Sequence, residues 1–159
     1  MWLNSRTILL LGSLVLAAVA PAVGQAPAAA PDAMRAVAAS SITWAEAGVP
    51  GFAPGMKLAV IDGDPSGTGP YTVRLSFPDG YRFPPHFHPG TENVTVLSGV
   101  LQLGMGEQTD ESRLKSYGPG DYLYIPSPMP HFGGAKGYTV VQLHGQGPFA
   151  INLVNKPTM

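Results

Sequence analysis

Cysteine is absent from this sequence, and charged residues are scarce. None of the 159 residues is Cys, which excludes disulfide bonds and a lipid-anchored cysteine. Charged residues make up 12% of the chain, and nine basic against ten acidic residues give a net charge of −1. Because there is no basic tract, we expect neither nucleic-acid binding nor electrostatic membrane binding. Without disulfide bonds, the stability of the fold must come from the packing of a core.

A hydrophobic run long enough to span a bilayer is also missing. The apolar stretch Thr7–Ala20 has 14 residues, fewer than the ~20 that a membrane-spanning helix needs. It follows the short basic segment Met1–Arg6 and precedes small residues that end at Gly24, an order typical of a secretory signal peptide. We therefore predict a signal peptide over residues 1–24 and an exported protein, either periplasmic or secreted. An uncleaved membrane anchor is the alternative.

The next segment, residues 25–40, is rich in alanine and proline and is interpreted as a linker. It has room for a short helix over Asp32–Ala39, which Asp32 would cap. The composition changes near Ser41, and the remaining residues suffice for one compact domain. We predict that this domain covers residues 41–159.

Twenty glycines and 17 prolines indicate short strands joined by many turns. We expect a turn at Ser98–Gly99 to pair the strands on either side of it, and Gly133–Gly134 to interrupt the strand that begins at His131. Many short strands with a turn between each pair favour an all-β barrel or sandwich. The predicted strands are Met56–Asp62, Tyr71–Phe77, Glu92–Leu97, Val100–Gly106, Leu114–Tyr117, Tyr122–Ile125, Tyr138–His144 and Phe149–Val154.

Two of the four histidines lie within one proline-rich segment, at His86 and His88. Pro84, Pro85 and Pro89 exclude a helix interior, so the segment is expected to be extended. In an extended chain, residues i and i+2 project to the same face, so the two imidazoles point together. Glu92 follows after a bend. Imidazole and carboxylate ligands suit a borderline divalent metal ion.

The segment Gly80–Gly99 resembles the first sequence motif of the cupin family. That motif is a glycine, five residues, His-x-His, three or four residues, Glu, six residues and a glycine. Every fixed position is filled here, by Gly80, His86, His88, Glu92 and Gly99.

The segment Gly120–His131 resembles the second cupin motif in part. That motif is a glycine, five residues, Pro-x-Gly, two residues, His, three residues and an asparagine. Gly120, Pro126 and His131 match, whereas Pro128 and Ala135 replace the glycine and the asparagine. Neither replaced residue is a metal ligand in the family, so the departures concern the shape of the loop.

The resemblance implies an all-β, single-domain cupin barrel of jelly-roll type around a metal ion. The implied cofactor is a divalent transition metal ion: zinc, manganese, iron, nickel or copper. Export favours zinc, manganese or copper, because ferrous iron is hard to retain in oxidising surroundings. The implied ligands are His86, His88, Glu92 and His131.

Similar cupins include oxygenases, isomerases and lyases, so the resemblance implies a metal-dependent enzyme acting on a small, oxygen-bearing organic molecule. The alternative is a non-catalytic periplasmic binder or sensor with a structural metal. In the enzyme hypothesis, Glu92 moves a proton. The expected partner is a small-molecule substrate or ligand, with no membrane contact after signal cleavage; a homodimer is a further expectation.

His144 is a second candidate catalytic residue. It shares one face of a predicted strand with Gln142, opposite Val141 and Leu143, and that face either lines the cavity or meets solvent. Inside the cavity, His144 would serve as an acid or base near neutral pH. Arg82 is interpreted as an exposed loop residue, and the alternative is that it binds a carboxylate group.

Overall fold

The computed structural model describes residues 34–154, which form a nearly all-β domain. Two single turns of 3-10 helix, Ala39–Ser41 and Glu111–Arg113, are the only helical segments in this part of the chain. No helix among these residues is long and apolar enough to cross a membrane. The strands are β1 (Ala45–Glu46), β2 (Lys57–Gly63), β3 (Pro70–Phe77), β4 (Arg82–Phe87), β5 (Glu92–Met105), β6 (Lys115–Tyr117), β7 (Tyr122–Ile125), β8 (His131–Gln146) and β9 (Asn152–Leu153).

The sheet is antiparallel throughout and is organised around its two longest strands, β5 and β8. These strands pair from Asn93 opposite His144 to Met105 opposite His131. The first part of β5 also pairs with β7 and its last part with β6. In the same way, β8 pairs with β4 near its start and with β3 near its end. Because each long strand joins different neighbours along its length, the sheet curls around one interior.

The alternating strand β3 supplies one wall of that interior. Tyr71, Val73, Leu75 and Phe77 are all buried, as the period-2 pattern predicts for one face of a strand. Each fully buried aliphatic or aromatic side chain contributes about 1.5–3 kcal/mol to folding. The all-β class predicted from the sequence is confirmed.

The turn predicted at Ser98–Gly99 is wrong, because β5 continues through it. The two halves of β5 do not pair with each other; both pair with β8, with register shifts on either side of Ser98. Gly99 has a φ of 73°, a value that favours glycine. A Cβ there would also overlap Thr139 of β8. The glycine therefore allows a bulge within a long strand.

The break predicted at Gly133–Gly134 is likewise wrong. β8 is continuous from His131 to Gln146, and a Cβ at Gly133 would overlap the carbonyl oxygen of Gln102 in β5. The two glycines thus let strands approach closely and do not end one.

The predicted strand and helix at the two ends of the domain also need correction. Of the strand predicted over Phe149–Val154, only Asn152–Leu153 is a strand. Residues 34–38 have no regular structure, so the helix predicted over Asp32–Ala39 is absent from its described part. Asp32, the signal segment and residues 155–159 lie outside the described residues.

Candidate metal centre

Three histidines converge at one point inside the sheet. His86 lies directly opposite His131 in the β4–β8 pair, with ring centroids 4.3 Å apart. His88 follows just after β4, and its ring centroid lies 5.1 Å from that of His86. One nitrogen from each ring lies within 4.8 Å of the other two. Because all three side chains are buried, this arrangement can hold a metal ion away from bulk solvent.

Prolines fix the local backbone before two of these histidines. Pro85 precedes His86 and Pro130 precedes His131, and a residue before proline is driven towards an extended conformation. The carbonyl of that pre-proline residue then meets the imidazole two positions on. Nδ1 of His86 donates to the Pro84 carbonyl at 2.8 Å. The equivalent nitrogen of His131 donates to the carbonyl of Met129 at 3.1 Å.

The third imidazole is held by a segment far away in the sequence. Nδ1 of His88 donates to the carbonyl of Ala150 at 2.8 Å. A carbonyl oxygen can only accept a hydrogen bond, so Nδ1 of all three rings carries the proton and Nε2 carries the lone pair. A backbone carbonyl on the second ring nitrogen is the usual support of a metal-binding histidine.

The Nε2 atom of His88 supplies a direct test of whether the site fits a metal. It is buried and has no hydrogen-bond partner among the described residues. A buried polar atom without a partner costs about 1–3 kcal/mol. A metal ion accepting that lone pair would remove the cost. The donor set of imidazole nitrogens therefore fits the implied divalent ion.

Glu92 completes the cluster from the start of β5. Its Oε2 lies 3.6 Å from Nε2 of both His88 and His131. The carboxyl group is buried, and burial raises its pKa to about 8 in the metal-free chain. Because burial also keeps the imidazoles neutral, these contacts are not ion pairs without a metal. A divalent cation would favour the ionised carboxylate.

Burial sets the charge state of the histidines. Burial, together with the neighbouring His131, lowers the pKa of His86 to about 3. Burial also lowers the pKa of His88, to about 4, and the pKa of His131. A metal ion binds the neutral imidazole. The three rings are therefore already in the binding form at neutral pH.

The cluster lies in a cavity that is apolar on its remaining sides. The cavity encloses about 460 Å³ when its open mouth is counted, and thirteen of its seventeen lining residues are apolar. The other four are His86, His88, His131 and Glu92. A concave apolar site with a few convergent polar groups is the usual form of a small-molecule site.

Two aromatic residues beside the cluster were not predicted as part of the site. The ring of Phe149 stacks on His88, with centroids 5.2 Å apart and planes inclined by 14°. The ring of Phe52 meets His86 edge-on at 5.2 Å. Both residues come from loops, where no strand periodicity reports which way a side chain points.

His144 lies outside the cluster. Its side chain is exposed, whereas the alternating residues Val141 and Leu143 are buried and line the cavity. The face that His144 shares with Gln142 is therefore the outer face of β8, so of the two placements considered for His144 the structure has the one that meets solvent. Gln142 accepts a hydrogen bond from Arg74 on that outer face.

Arg82 also points away from the cluster; it is exposed as expected, but it is the first residue of β4 and does not lie in a loop. Its guanidinium group donates to the carbonyls of Tyr81 and Ala135 and approaches Glu111 at 3.9 Å. Its side chain is 51% exposed. It is not among the residues that line the cavity.

The fold and the convergent histidines define a cupin. The profile of the ChrR cupin-like domain family matches residues 32–150, most of the chain. The chain belongs to this family, and the predicted cupin barrel of jelly-roll type is confirmed.

Solved structures show the same fold. The polyketide cyclase RemF from Streptomyces resistomycificus superposes with a TM-score of 0.65 at 20% identity, over 78% of this chain and 87% of that chain. The DMSP lyase DddQ from Ruegeria pomeroyi superposes with a TM-score of 0.58 at 18% identity, over 76% of this chain and 64% of that chain. Identities this low show a shared fold alone.

Curated relatives include two plant proteins. Germin-like protein subfamily 1 member 7 of Arabidopsis thaliana is 34% identical over 91 residues, which cover 52% of this chain and 40% of the relative. Germin-like protein 1-1 of Oryza sativa subsp. japonica is 31% identical over 80 residues, which cover 50% of this chain and 33% of the relative. The matched region is thus well under half of either relative.

Proposed function

We propose that this protein is an exported, metal-dependent cupin enzyme that acts on a small, oxygen-bearing organic molecule. The observation that carries the proposal is the convergence of His86, His88 and His131 with their Nε2 lone pairs unprotonated. These three residues and Glu92 would hold the ion. The chemistry that such an ion supplies is polarisation of a substrate oxygen and, if it is redox-active, reaction with dioxygen.

Glu92 is the group best placed to move a proton. It is the only carboxyl group that lines the cavity among the described residues, and its Oε2 lies beside two ligand nitrogens. A bound divalent ion would favour the ionised form of this carboxylate, which can accept a proton from a substrate and later return it. We therefore assign it the acid or base role in an oxygenase, isomerase or lyase reaction.

Two of the structural neighbours support an enzyme. One is named a polyketide cyclase and the other a DMSP lyase, so this fold holds catalytic sites in proteins of similar extent. The second candidate is a periplasmic binder or sensor with a structural metal. Turnover separates the two candidates: a binder retains its ligand unchanged.

Substitution of the proposed ligands tests the metal centre. We expect about one metal ion per chain in wild-type protein purified from its exported location. In His131→Ala, which removes a ligand itself, metal binding should weaken by more than the roughly 10–100-fold that loss of an outer-shell partner costs. Glu92→Gln should keep part of the metal and lose most turnover, since the amide keeps the shape but cannot take a proton. Metal content, binding and turnover are measured on the same preparations.

His144→Ala is the matched control, because it removes an exposed imidazole from the outer face. It should leave metal content unchanged. The proposal is overturned if the exported wild-type protein holds no metal, or if His131→Ala binds metal as tightly as the control. Full activity in Glu92→Gln would show that the carboxylate has no catalytic role.

Export is a separate part of the proposal and rests on the sequence of residues 1–24. In the native host we expect the protein in the exported fraction, with an N-terminus at Gln25. Intact mass spectrometry of that fraction checks both points. A cytoplasmic protein that keeps Met1 would contradict the proposal, and a membrane-bound chain of full length would favour the anchor.

A further inference from the structure

Among residues 34–154, the cavity is lined by no charged or hydrogen-bonding side chain other than those of the proposed metal ligands. Among the described residues, none of its other lining side chains belongs to Lys, Arg, Asp, Asn, Gln, Ser or Thr. A ligand that binds the metal through one end must therefore place its other end against hydrocarbon. A charged group moved into such surroundings without a partner is strongly disfavoured.

The mouth of the cavity is apolar as well. Phe52 lies in the loop between β1 and β2, and Phe149 and Ile151 lie between β8 and β9. All three line the cavity and are half-buried, so they stand between the metal centre and solvent. A ligand tail that extends from the centre towards the mouth meets these side chains.

The free space limits the size of the tail. The cavity measures about 460 Å³ with its open mouth included, near the lower end of the roughly 300–1,000 Å³ range of ligand pockets, and the metal ion and the ligand head would occupy part of it. A tail of a few non-hydrogen atoms fits this space.

We infer that the ligand of this site has an oxygen-donor head for the metal and a short, uncharged, aliphatic tail, with Phe52, Phe149 and Ile151 as specificity-determining residues. The inference rests on the proposed metal centre and adds the chemistry of the rest of the ligand. A divalent ion together with an ionised Glu92 has a net positive charge, so an anionic head can bind there. The apolar lining disfavours a charge on the tail only.

Three hydroxamic acids with the same head test the tail. The full-length protein is loaded with cobalt(II), and binding is followed by its visible absorption spectrum. Acetohydroxamic acid reports on the head alone. Butyrohydroxamic acid adds an aliphatic tail, and succinomonohydroxamic acid replaces the terminal methyl of that tail with a carboxylate. We expect the butyro compound to bind about tenfold or more tightly than the succino compound, because the carboxylate loses hydration without gaining a partner.

A change at the mouth should reverse this preference. Ile151→Lys places a cation where the tail carboxylate would lie, and its half-buried position lets the ammonium group reach water. We expect this variant to bind the succino compound more tightly than the butyro compound. The matched control Ile151→Met, which has a long neutral side chain, should keep the wild-type order.

The failure of the inference is distinguishable from failure of the metal centre. Equal affinities, or tighter binding of the succino compound by wild-type protein, would overturn the assignment of the tail while the metal centre stands. If acetohydroxamic acid leaves the spectrum of the cobalt-loaded protein unchanged, or cobalt does not bind, the proposed metal function is what fails.

Discussion

At the scale of single residues, the tautomers of two proposed ligands are set by the chain next to them. In both Pro84-Pro85-His86 and Met129-Pro130-His131, Nδ1 of the imidazole donates a hydrogen bond to the carbonyl of the residue before the proline at the second position. Proline fixes its own φ and restricts its predecessor, so little conformational entropy is left for the metal to remove. Two Pro-His segments that lie far apart in the sequence thus present Nε2 in the same way.

Burial of the four polar groups makes the stability of the metal-free protein depend on pH. The folded-state pKa values of His86 and His88 lie well below the usual 6.5. As pH falls below 6.5, these histidines therefore bind protons in the unfolded chain but not in the folded chain. The free energy of unfolding decreases as a result, down to about pH 3. Glu92 acts in the opposite sense. Its folded-state pKa of about 8 exceeds the usual 4.5, so its contribution is complete below pH 4.5 and is lost as pH rises through 8.

The two opposing trends predict a maximum in the stability of the metal-free protein near pH 6.5. Urea unfolding of chelated protein between pH 4 and 9 measures it. Glu92→Gln should keep the acid-side loss and lose the decline between pH 6.5 and 8, because the amide does not titrate. An unchanged alkaline decline in this variant would contradict the assignment to Glu92.

At the scale of elements, glycine in β8 permits strand contacts that a larger residue would prevent. Gly133 is buried, and a Cβ there would overlap the carbonyl oxygen of Gln102 and lie 2.9 Å from the ring of Phe83. Since His131 lies two residues earlier, displacement of β8 at this point would also disturb the metal centre.

We therefore expect Gly133→Ala to lower the free energy of unfolding by about 2 kcal/mol or more, a typical cost of overpacking. Gly118→Ala is the matched control, because a Cβ at Gly118 meets nothing within 4 Å; it should change stability by less than about 0.5 kcal/mol. Urea denaturation of both variants provides the comparison. Equal stability of the two variants would show that β8 shifts at little cost.

The stacking of Phe149 links a loop to the metal centre at the same scale. The loop after β8 supplies both the ring that covers His88 and the Ala150 carbonyl that orients it. It is anchored in turn by the Phe149 N–H, which donates to the Pro65 carbonyl at 2.7 Å. This loop therefore positions the proposed metal ligand His88, although no residue of the loop is itself a proposed metal ligand.

At the scale of the whole molecule, metal binding should stabilise the fold. His86, Glu92 and His131 come from three different strands, so the full ligand set exists only in the folded chain. At a free metal concentration 100 times Kd, binding adds about 2.7 kcal/mol, which corresponds to a rise of about 10 °C in Tm for a domain of this size. Thermal unfolding with metal and with chelator measures the rise.

His131→Ala serves as the control for this prediction, and its Tm should be nearly independent of metal. If metal raises Tm equally in this variant and in wild-type protein, the stabilising ion is bound elsewhere. Equal Tm values for metal-loaded and chelated wild-type protein, with the metal content verified, would argue against an ion at this centre.

Several features could be predicted from the sequence because they depend on neighbours along the chain. The extended segment through His86 and His88 follows from its prolines, and the inward face of β3 follows from the alternation that ends at Phe77. The motif spacing identified the four residues that meet in the interior. The first two inferences use only the geometry of an extended chain, whereas the set of four residues rests on the resemblance to the cupin motifs.

Other features depend on contacts between residues that are distant in sequence, and only the tertiary structure shows them. Alternation separates the two faces of β8 but does not say which face is covered, so only the folded sheet places His144 outside. Glycine is common in turns, yet the pairing between β5 and β8 keeps Gly99 and Gly133 within continuous strands. The Ala150 carbonyl reaches His88 across 62 residues of sequence. Such long-range contacts form only when the sheet closes, and for that reason local sequence patterns do not reveal them.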